Sequence, residues 1–514
     1  VHESELRAIL RGETRGDHRW PPHKHERVKW QKVAEYRRRV QNDGDELFRW
    51  RIDLHVAAME GGAEATHHRQ KLFAPVGMAR DLARFSSSLL FSEEPKIRLD
   101  DELSVEQERL DAWLEENRVP ELLLDAGDQV ASEGSGGLRV CWDDHLSGEF
   151  PILTYHPEDS ILWSTRHGRY TRGGVVAISH EEERNSAIVW RLLESHSPGL
   201  IERRLFKGGA DRLGKLHPLT AGPPEFRELR PQSRTGVQRP TLIPWLNTPG
   251  AHSDLAGLEP LLDSLDEAAT VGRIKMRASQ PITFMRRFET RNLKSLGALP
   301  MDGAVVAIDD WPGRYLGQTE GGPPVESPFP VEQLLQTAQP GLEASEHRAY
   351  VEHLREMVVT MAGYSLASWG LDREGRADSG TALKLRQLRT LLTRSGKERM
   401  ARQAIAEACA IALGMMLGRS DVEVLMPHVE LADGMPRDGV QDAEEVATLR
   451  TANAISTEEI VRKLHPDWSE ERIAEELAKI EGEKQPVPEA LLGQPPAPPP
   501  EDEPPPTKIT RIGG

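Results

Sequence analysis

Cysteine is almost absent: Cys141 and Cys409 stand alone in 514 residues, far apart and outside any C-x-x-C. That excludes a disulfide framework and a thiolate zinc site, and predicts two buried free thiols. Aromatic residues are scarce at 5%, and no apolar run approaches the ~20 residues that a bilayer span needs. The opening VHESELRAILRGETRGDHRW lacks the apolar stretch of a signal peptide, so a cytosolic chain is expected. Positive charge is outnumbered, with 82 acids against 65 bases and a net charge of -17. This argues against a basic surface that wraps nucleic acid, but allows one along which nucleic acid slides. What remains is a soluble composition, 38% hydrophobic and 29% charged, long enough for several domains.

Apolar spacing predicts helices over most of the first 135 residues, notably 25–40, 65–91 and two segments within 104–130, with a short strand at 95–100. From Gly136 the period becomes two. LRVCWD (138–143), FPILTY (150–155), GGVVAISH (173–180), AIVWRLLESH (187–196) and LIERRLFKG (200–208) read as a β meander. Ser253 and Asp254 offer N-caps for a helix with Leu258, Leu261, Leu262, Leu265, Ala269, Gly272 and Met276 on its apolar side, ended or kinked by Pro281. A second helix over 342–361 carries Tyr350, Val351, Leu354, Met357, Val358 and Met361, and a helix of about 37 residues covers 381–417, with Gly396 a possible bend. Short capped helices follow at 455–464 and 467–480. Ten prolines between Pro486 and Pro506 then mark a polyproline-like, disordered tail.

The stretch LDREGRADSGTALKLR (371–386) imitates a phosphate-binding loop, since Gly375 and Gly380 are spaced as in G-x-x-x-x-G-K-[ST]. Thr381 replaces the lysine and Ala382 the magnesium-binding hydroxyl, so the chemistry is missing. HERVK (25–29) and HEEER (180–184) lack the second histidine of a zinc-protease helix, and the adjacent His67 and His68 diverge on a helix. Ser379 has no G-x-S-x-G turn and reads as a helix N-cap. Asp309-Asp310 and Asp143-Asp144 are pairs expected by chance in so acidic a chain. No catalytic or metal-binding residue is assigned; the alternative, a nucleotide-dependent enzyme using the degenerate loop at 375–382, and a non-channel helical scaffold both stay open.

Four segments, in order and spacing, resemble the portal proteins of tailed bacteriophages, in the branch typical of long, non-contractile-tailed phages of Gram-positive hosts. They are LARFSSSLLFSEEPKIRL (82–99), HSDLAGLEPLLDSLDEAATVGRIKMRASQPITFM (252–285), MAGYSLASWGLDREGRADSGTALKLRQLRTLL (361–392) and LRTANAISTEEIVRKLHPDWSEERIAEELAKI (449–480). Ser379, Gly380, Ala382, Leu383 and Lys384 match the third signature, while Leu366 stands at its usual proline. Arg273 and Lys275 partly replace the acids of the second.

The resemblance implies an α+β, mainly helical portal fold of wing, stem, clip and crown. The wing would span 1–255, with the β meander at about 136–210, and the stem helices 256–281 and 341–363. The clip would span 282–340, the tunnel loop 364–380, the long wing helix 381–420, the crown 421–482 and the tail 483–514. It implies a homo-oligomer of about twelve subunits at one capsid vertex, through which double-stranded DNA is packaged and ejected without sequence preference. Implied partners are the terminase large subunit, the head-tail adaptor, the major capsid protein and scaffold. No membrane or cofactor is implied, and the location is the virion, with assembly in the host cytoplasm. A channel loop must be polar and short of bulky apolar groups. Asp372, Arg373, Glu374, Arg376, Asp378 and Ser379 would then face DNA. The helix behind has seven bases and one acid over 381–402; Lys384, Arg386 and Arg389 form either a channel-side basic face or a solvated one. Arg286, Arg287, Arg291 and Lys294 would contact motor or adaptor at the clip, or only solvate it.

Overall fold

Helical spacing near the start of the chain is realised as α1 (Lys24–Gln41), α2 (Gly44–His55), α3 (Met78–Phe91), α4 (Ser104–Glu116) and α5 (Val119–Glu133), with the short β1 (Lys96–Arg98) between α3 and α4. The helix expected over 65–91 starts only at Met78, because residues 73–77, which contain Pro75 and Gly77, are not helical. The computed structural model describes residues 19–55, 73–143, 148–166, 169–182, 185–278, 282–286, 304–308, 335–338, 344–371, 380–431, 446–451, 455–464 and 470–483. His67, His68 and the proline-rich tail lie outside them. Local chemistry sets the helix ends. Asn42 closes α1 in the left-handed region, which asparagine tolerates better than most residues. Gly134 closes α5 at φ +93°, and a Cβ there would stand 2.6 Å from the Ala251 carbonyl oxygen. Only glycine fits where α5 turns into the sheet.

The β region is two sheets rather than one meander. β2 (Ser135–Cys141) and β3 (Ile152–Pro157) pair antiparallel, and β10 (Leu242–Leu246) adds to the other edge of β2. β4 (Ile161–Arg166), β5 (Arg169–Glu182), β6 (Asn185–Ser197), β7 (Leu200–Gly208) and β8 (Lys215–His217) run as a true antiparallel meander, with β9 (Gln232–Arg234) also on β7. A one-turn helix, α6 (Pro224–Arg227), covers part of one face. Neighbours Leu192 and Leu193, like Leu205 and Phe206, bury in different clusters on opposite faces. That is why these strands read as continuous apolar runs instead of a clean alternation.

Then follow α7 (Glu259–Ala278), a small mixed sheet of β11 (Ile282–Arg286), β12 (Ala304–Ile308) and β13 (Leu335–Ala338), α8 (Ala344–Met361), and α9 (Gly380–Leu417). β11 is central, parallel to β12 and antiparallel to β13. β14 (His428–Glu430) returns to pair with β1. The helix assignment of α9 runs unbroken through Gly396. From Ala401 to Leu413 α9 is mostly alanine and aliphatic and lies within the main core with Leu138, Val140, Ile243 and Trp245 of the three-stranded sheet. By length and composition α9 could cross a membrane. Its apolar half is instead occupied by protein. Cys141 and Cys409 are buried free thiols, as expected, and burial pushes the Cys409 thiol up to about 12.

These elements belong to one compact unit, Val1–Gly434; a second comprises Met435–Gly514. In the second, α10 (Thr457–Leu464) packs on α11 (Glu470–Glu483). The Glu459 amide donates to Ser456 Oγ at 3.1 Å, the N-cap that the sequence predicts.

A buried polar cluster bridges the two sheets. Glu194 of β6 accepts from Arg203 Nε at 2.6 Å and pairs with Arg139 of β2 at 2.5 Å, while His196 Nδ1 lies 2.7 Å from Thr241 Oγ1. Burial, with Arg139 adding to it, lowers the His156 imidazole to about 4; Glu194 partly opposes the shift, and His196 reinforces it. A histidine whose folded value lies below its unfolded ~6.5 binds its proton more readily when unfolded. Its contribution to stability is therefore complete above pH ~6.5 and is lost as pH falls toward 4. Thermal melts should show a drop over that window worth about 3 kcal/mol, since the gap of ~2.5 units counts about 1.36 kcal/mol each. His156→Gln should remove this part of the drop; an unchanged profile would assign it elsewhere.

Candidate functional site

α7 and α8 pack antiparallel. Gly272 faces His347, where a Cβ would meet the imidazole at 2.5 Å, and at the opposite end Asp254, five residues before α7, meets Tyr364, three residues after α8. Leu262, Leu265 and Ala268 bury against Leu354, Val358 and Val359, with Met78 and Leu82 of α3 in the same cluster. α1 holds α7 from the side: Arg39 donates to Asp263 at 2.7 Å and Tyr36 to Glu259 at 2.9 Å.

The apolar stripe expected along α8 divides. Leu354 and Val358 are buried, whereas Tyr350 and Met361 are exposed. Helical geometry explains this, because positions 350 and 361 fall about 20° apart but position 350 lies about 80° from position 358. The stripe is wider than the face that α7 covers. On α7, likewise, Leu258 just ahead of it and Leu262 and Leu265 within it are buried, but Met276 is exposed.

After α8 the chain is fastened to α9. The Thr393 hydroxyl donates to the Gly363 carbonyl at 2.7 Å, the Ser365 amide donates to Thr390 Oγ1 at 2.9 Å, and Ser368 Oγ also reaches Thr390 at 2.9 Å. Phe85 of α3 packs edge-on against Tyr364 and tilted against Trp369, with centroids 5.0 and 4.9 Å away. The chain leaves this base at Leu371 and re-enters the described structure at Gly380, the first residue of α9.

One buried ion pair joins these parts. Lys397 Nζ donates to Asp254 Oδ1 at 2.6 Å and to Ser86 Oγ at 2.5 Å, with the Tyr364 hydroxyl at 3.3 Å. Tyr364 donates to Asp254 Oδ2 at 3.2 Å, and Asn247 Nδ2 donates to Asp254 Oδ1 at 2.8 Å. Both charged side chains are buried, Lys397 at 4% and Asp254 at 6% exposure. Burial pulls the Lys397 ammonium below the usual lysine range, and the Asp254 carboxylate opposes this. A saturated pair of this kind is a clamp, not a catalyst. It ties the segment before α7 and the segment after α8 to α3 and α9.

Asp254 therefore does not cap α7, which starts only at Glu259. Ser253 accepts from the Leu255 amide at 3.0 Å and donates to the Ser132 carbonyl. Both residues brace the joint where α5 and the sheet meet, a demand that outweighs helix capping.

Asp372, Arg373, Glu374, Arg376, Asp378 and Ser379 lie outside the described residues, as do Arg287, Arg291 and Lys294. Arg286 ends β11, and Lys384 lies in the first turns of α9; the side chains of both also lie outside the description. Arg389 is exposed and Arg386 half-buried. Among the bases over 381–402, Lys397 is engaged as above, Arg394 with Glu398 at 2.8 Å and the Leu89 carbonyl at 3.0 Å, and Arg402 with Glu398. Sequence reasoning counted Lys397 only as one of the seven bases over 381–402 and missed the clamp. No local signal marked it: Lys397 lies on the side of α9 opposite Leu385, Leu388 and Leu392, and an apolar row ordinarily faces the core. Among the described residues no group of three His, Cys, Asp or Glu side chains could hold a metal ion.

No family model matches the chain, and no curated protein matches it. Among solved structures it is similar to a chain from the neck of an empty GTA particle, computed with C6 symmetry. The identity is 14% and the TM-score 0.40, over 79% of this chain and 94% of that one. A chain from the neck of a native GTA particle, computed with C12 symmetry, gives 13% and 0.39 over the same shares. Scores this low do not establish a shared fold.

Proposed function

We propose that this chain is the subunit of a portal-type ring of a tailed bacteriophage. About twelve copies would surround a channel at one capsid vertex, through which double-stranded DNA is packaged and ejected. The observation that carries the reading is one arrangement. An antiparallel helix pair brackets a small sheet-bearing segment, and its near ends are clamped by Lys397 and Asp254 to a 38-residue helix. The eight residues 372–379, rich in both charge signs, lie between the base of that pair and the long helix. This is the order of stem, clip, stem, channel loop and wing helix that the four sequence segments lead one to expect.

Charge supports it. Twelve copies at -17 each total about -200, and a wall that is not net basic does not retain a polyanion by counterion release. In this reading the chain performs no chemistry: a terminase motor docked at 282–340 hydrolyses ATP, and a head-tail adaptor later takes its place. Asp372, Arg373, Glu374, Arg376 and Asp378 give weak, sequence-independent contact with passing DNA.

The test is negative-stain electron microscopy with particle mass measured on the same purified sample. Rings with a central hole and a mass near 690 kDa, about twelve chains of 57.4 kDa, are expected. A single species at the chain mass at every protein concentration would overturn the reading.

A further inference from the structure

The side of α9 facing the protein carries Thr390, Arg394, Lys397 and Glu398, all buried. The opposite side carries Leu385, Leu388 and Leu392 at 67%, 49% and 66% exposure. Leu388 is nine residues from Lys397, about 900° of helical turn, and so points diametrically away from the clamp. Scattered surface leucines are ordinary. A row at i, i+3 and i+7 is instead the apolar stripe of a helix, and its partner is not among the described residues.

A second outward row lies on α7, where Val271 and Ile274 are exposed, with Glu267 exposed one turn earlier. Both rows are open in the single chain, so neither covers the other. Their surroundings differ in charge at one end. From Thr381 to Lys397 there are bases and no acid, and Arg389 is exposed beside the leucines. On α7 the stretch from Glu259 to Thr270 has four acids and no base, with Glu267 exposed at the head of the row, whereas Arg273 and Lys275 lie within and just after the row.

We infer that the Leu385–Leu388–Leu392 row of one copy seats on the Val271–Ile274 row of a neighbouring copy, with Arg389 reaching Glu267 across the contact. This rests on the ring reading, to which it adds the residues. A bilayer is a poor occupant: the row extends about 10 Å against a hydrocarbon core of about 30 Å, and the helix beyond it is protein core. DNA is a poor occupant too, because leucine offers a phosphate no donor. A heterologous contact that closes into a ring needs two different, complementary patches on each chain. This chain carries two exposed apolar rows, with Arg389 beside one and Glu267 at the head of the other.

The experiment uses the full chain with cysteines at Leu388 and Ile274, since Cys141 and Cys409 are buried. Under mild oxidation, Leu388→Cys/Ile274→Cys should give a ladder of covalent multimers on a non-reducing denaturing gel, and neither single variant should extend past a dimer. In parallel, Arg389→Glu and Glu267→Arg should each raise the protein concentration for half-assembly at least tenfold, and the double reversal should recover most of that loss. Wild-type rings of the right mass without a ladder, or a double reversal no better than the singles, would overturn this seat and leave the ring standing. A wild-type chain that never assembles would overturn both.

Discussion

Methionine in place of Lys397 is expected to destabilise the first unit by about 3–5 kcal/mol, one of the largest single-residue effects in this protein. Methionine fills nearly the same space, so little packing is lost. What changes is that Asp254, 6% exposed, keeps its negative charge with only the Tyr364 hydroxyl and the Asn247 amide to solvate it. Removing one partner of a buried pair costs more than the pair contributes, because the remaining charge is left without water or counterion. Lys397→Met combined with Asp254→Asn should therefore recover most of the loss, an interaction that a double-mutant cycle in urea would measure directly. Additive losses would mean that each residue acts separately and that no clamp joins the near ends of α7 and α8.

Glu194→Gln should cost a comparable ~3–5 kcal/mol by the same physics with the sign inverted. Glutamine is nearly isosteric but leaves the guanidinium groups of Arg139 and Arg203 buried with no anion between them. Burial alone would raise the Glu194 carboxyl; Arg139, His196 and Arg203 instead hold it well below the usual carboxylate range. Its negative charge is thus part of the fold throughout the neutral range. An exposed pair provides the scale. Arg348→Ala breaks the i,i+4 contact with Glu352 on the surface of α8, and should lower the unfolding free energy measured in urea by no more than about 0.5 kcal/mol. If Glu194→Gln has only that effect, water reaches the cluster and the bridge between the two sheets is not electrostatic.

The helices were the legible part of the fold. Expected bounds of 25–40 and 381–417 meet observed Lys24–Gln41 and Gly380–Leu417 because both are long proline-free runs rich in strong helix formers, which need no tertiary help to be read. Strands that fail the pattern were missed. Leu242–Leu246 contains Pro244 and was assigned to no element; it is an edge strand, where a residue without an amide proton is tolerated. Ile161–Arg166 is apolar only in its first half, so no alternation marks it. Of the site, the sequence indicated the two helices and the charged segment after them. The clamp was invisible, since Asp254 and Lys397 are 143 residues apart, Asp254 had a local explanation as a helix cap, and Lys397 was one base among seven on its helix.

By itself, then, the sequence determined where helices form, that the two cysteines are buried thiols, that the chain is strongly acidic, and in what order its parts follow. Each depends on neighbours within a few turns of chain or on composition. Only the tertiary structure decided which charges serve the interior and which serve the surface. Lys397 and Arg389 stand eight residues apart on one helix and look alike in sequence. One is buried against Asp254 and the other is open to solvent, because the partner faces that pack on α9 come from α3, the segment before α7 and the segment after α8. Burial is set by those distant neighbours, and with it the several kcal/mol that separate a structural charge from a surface one.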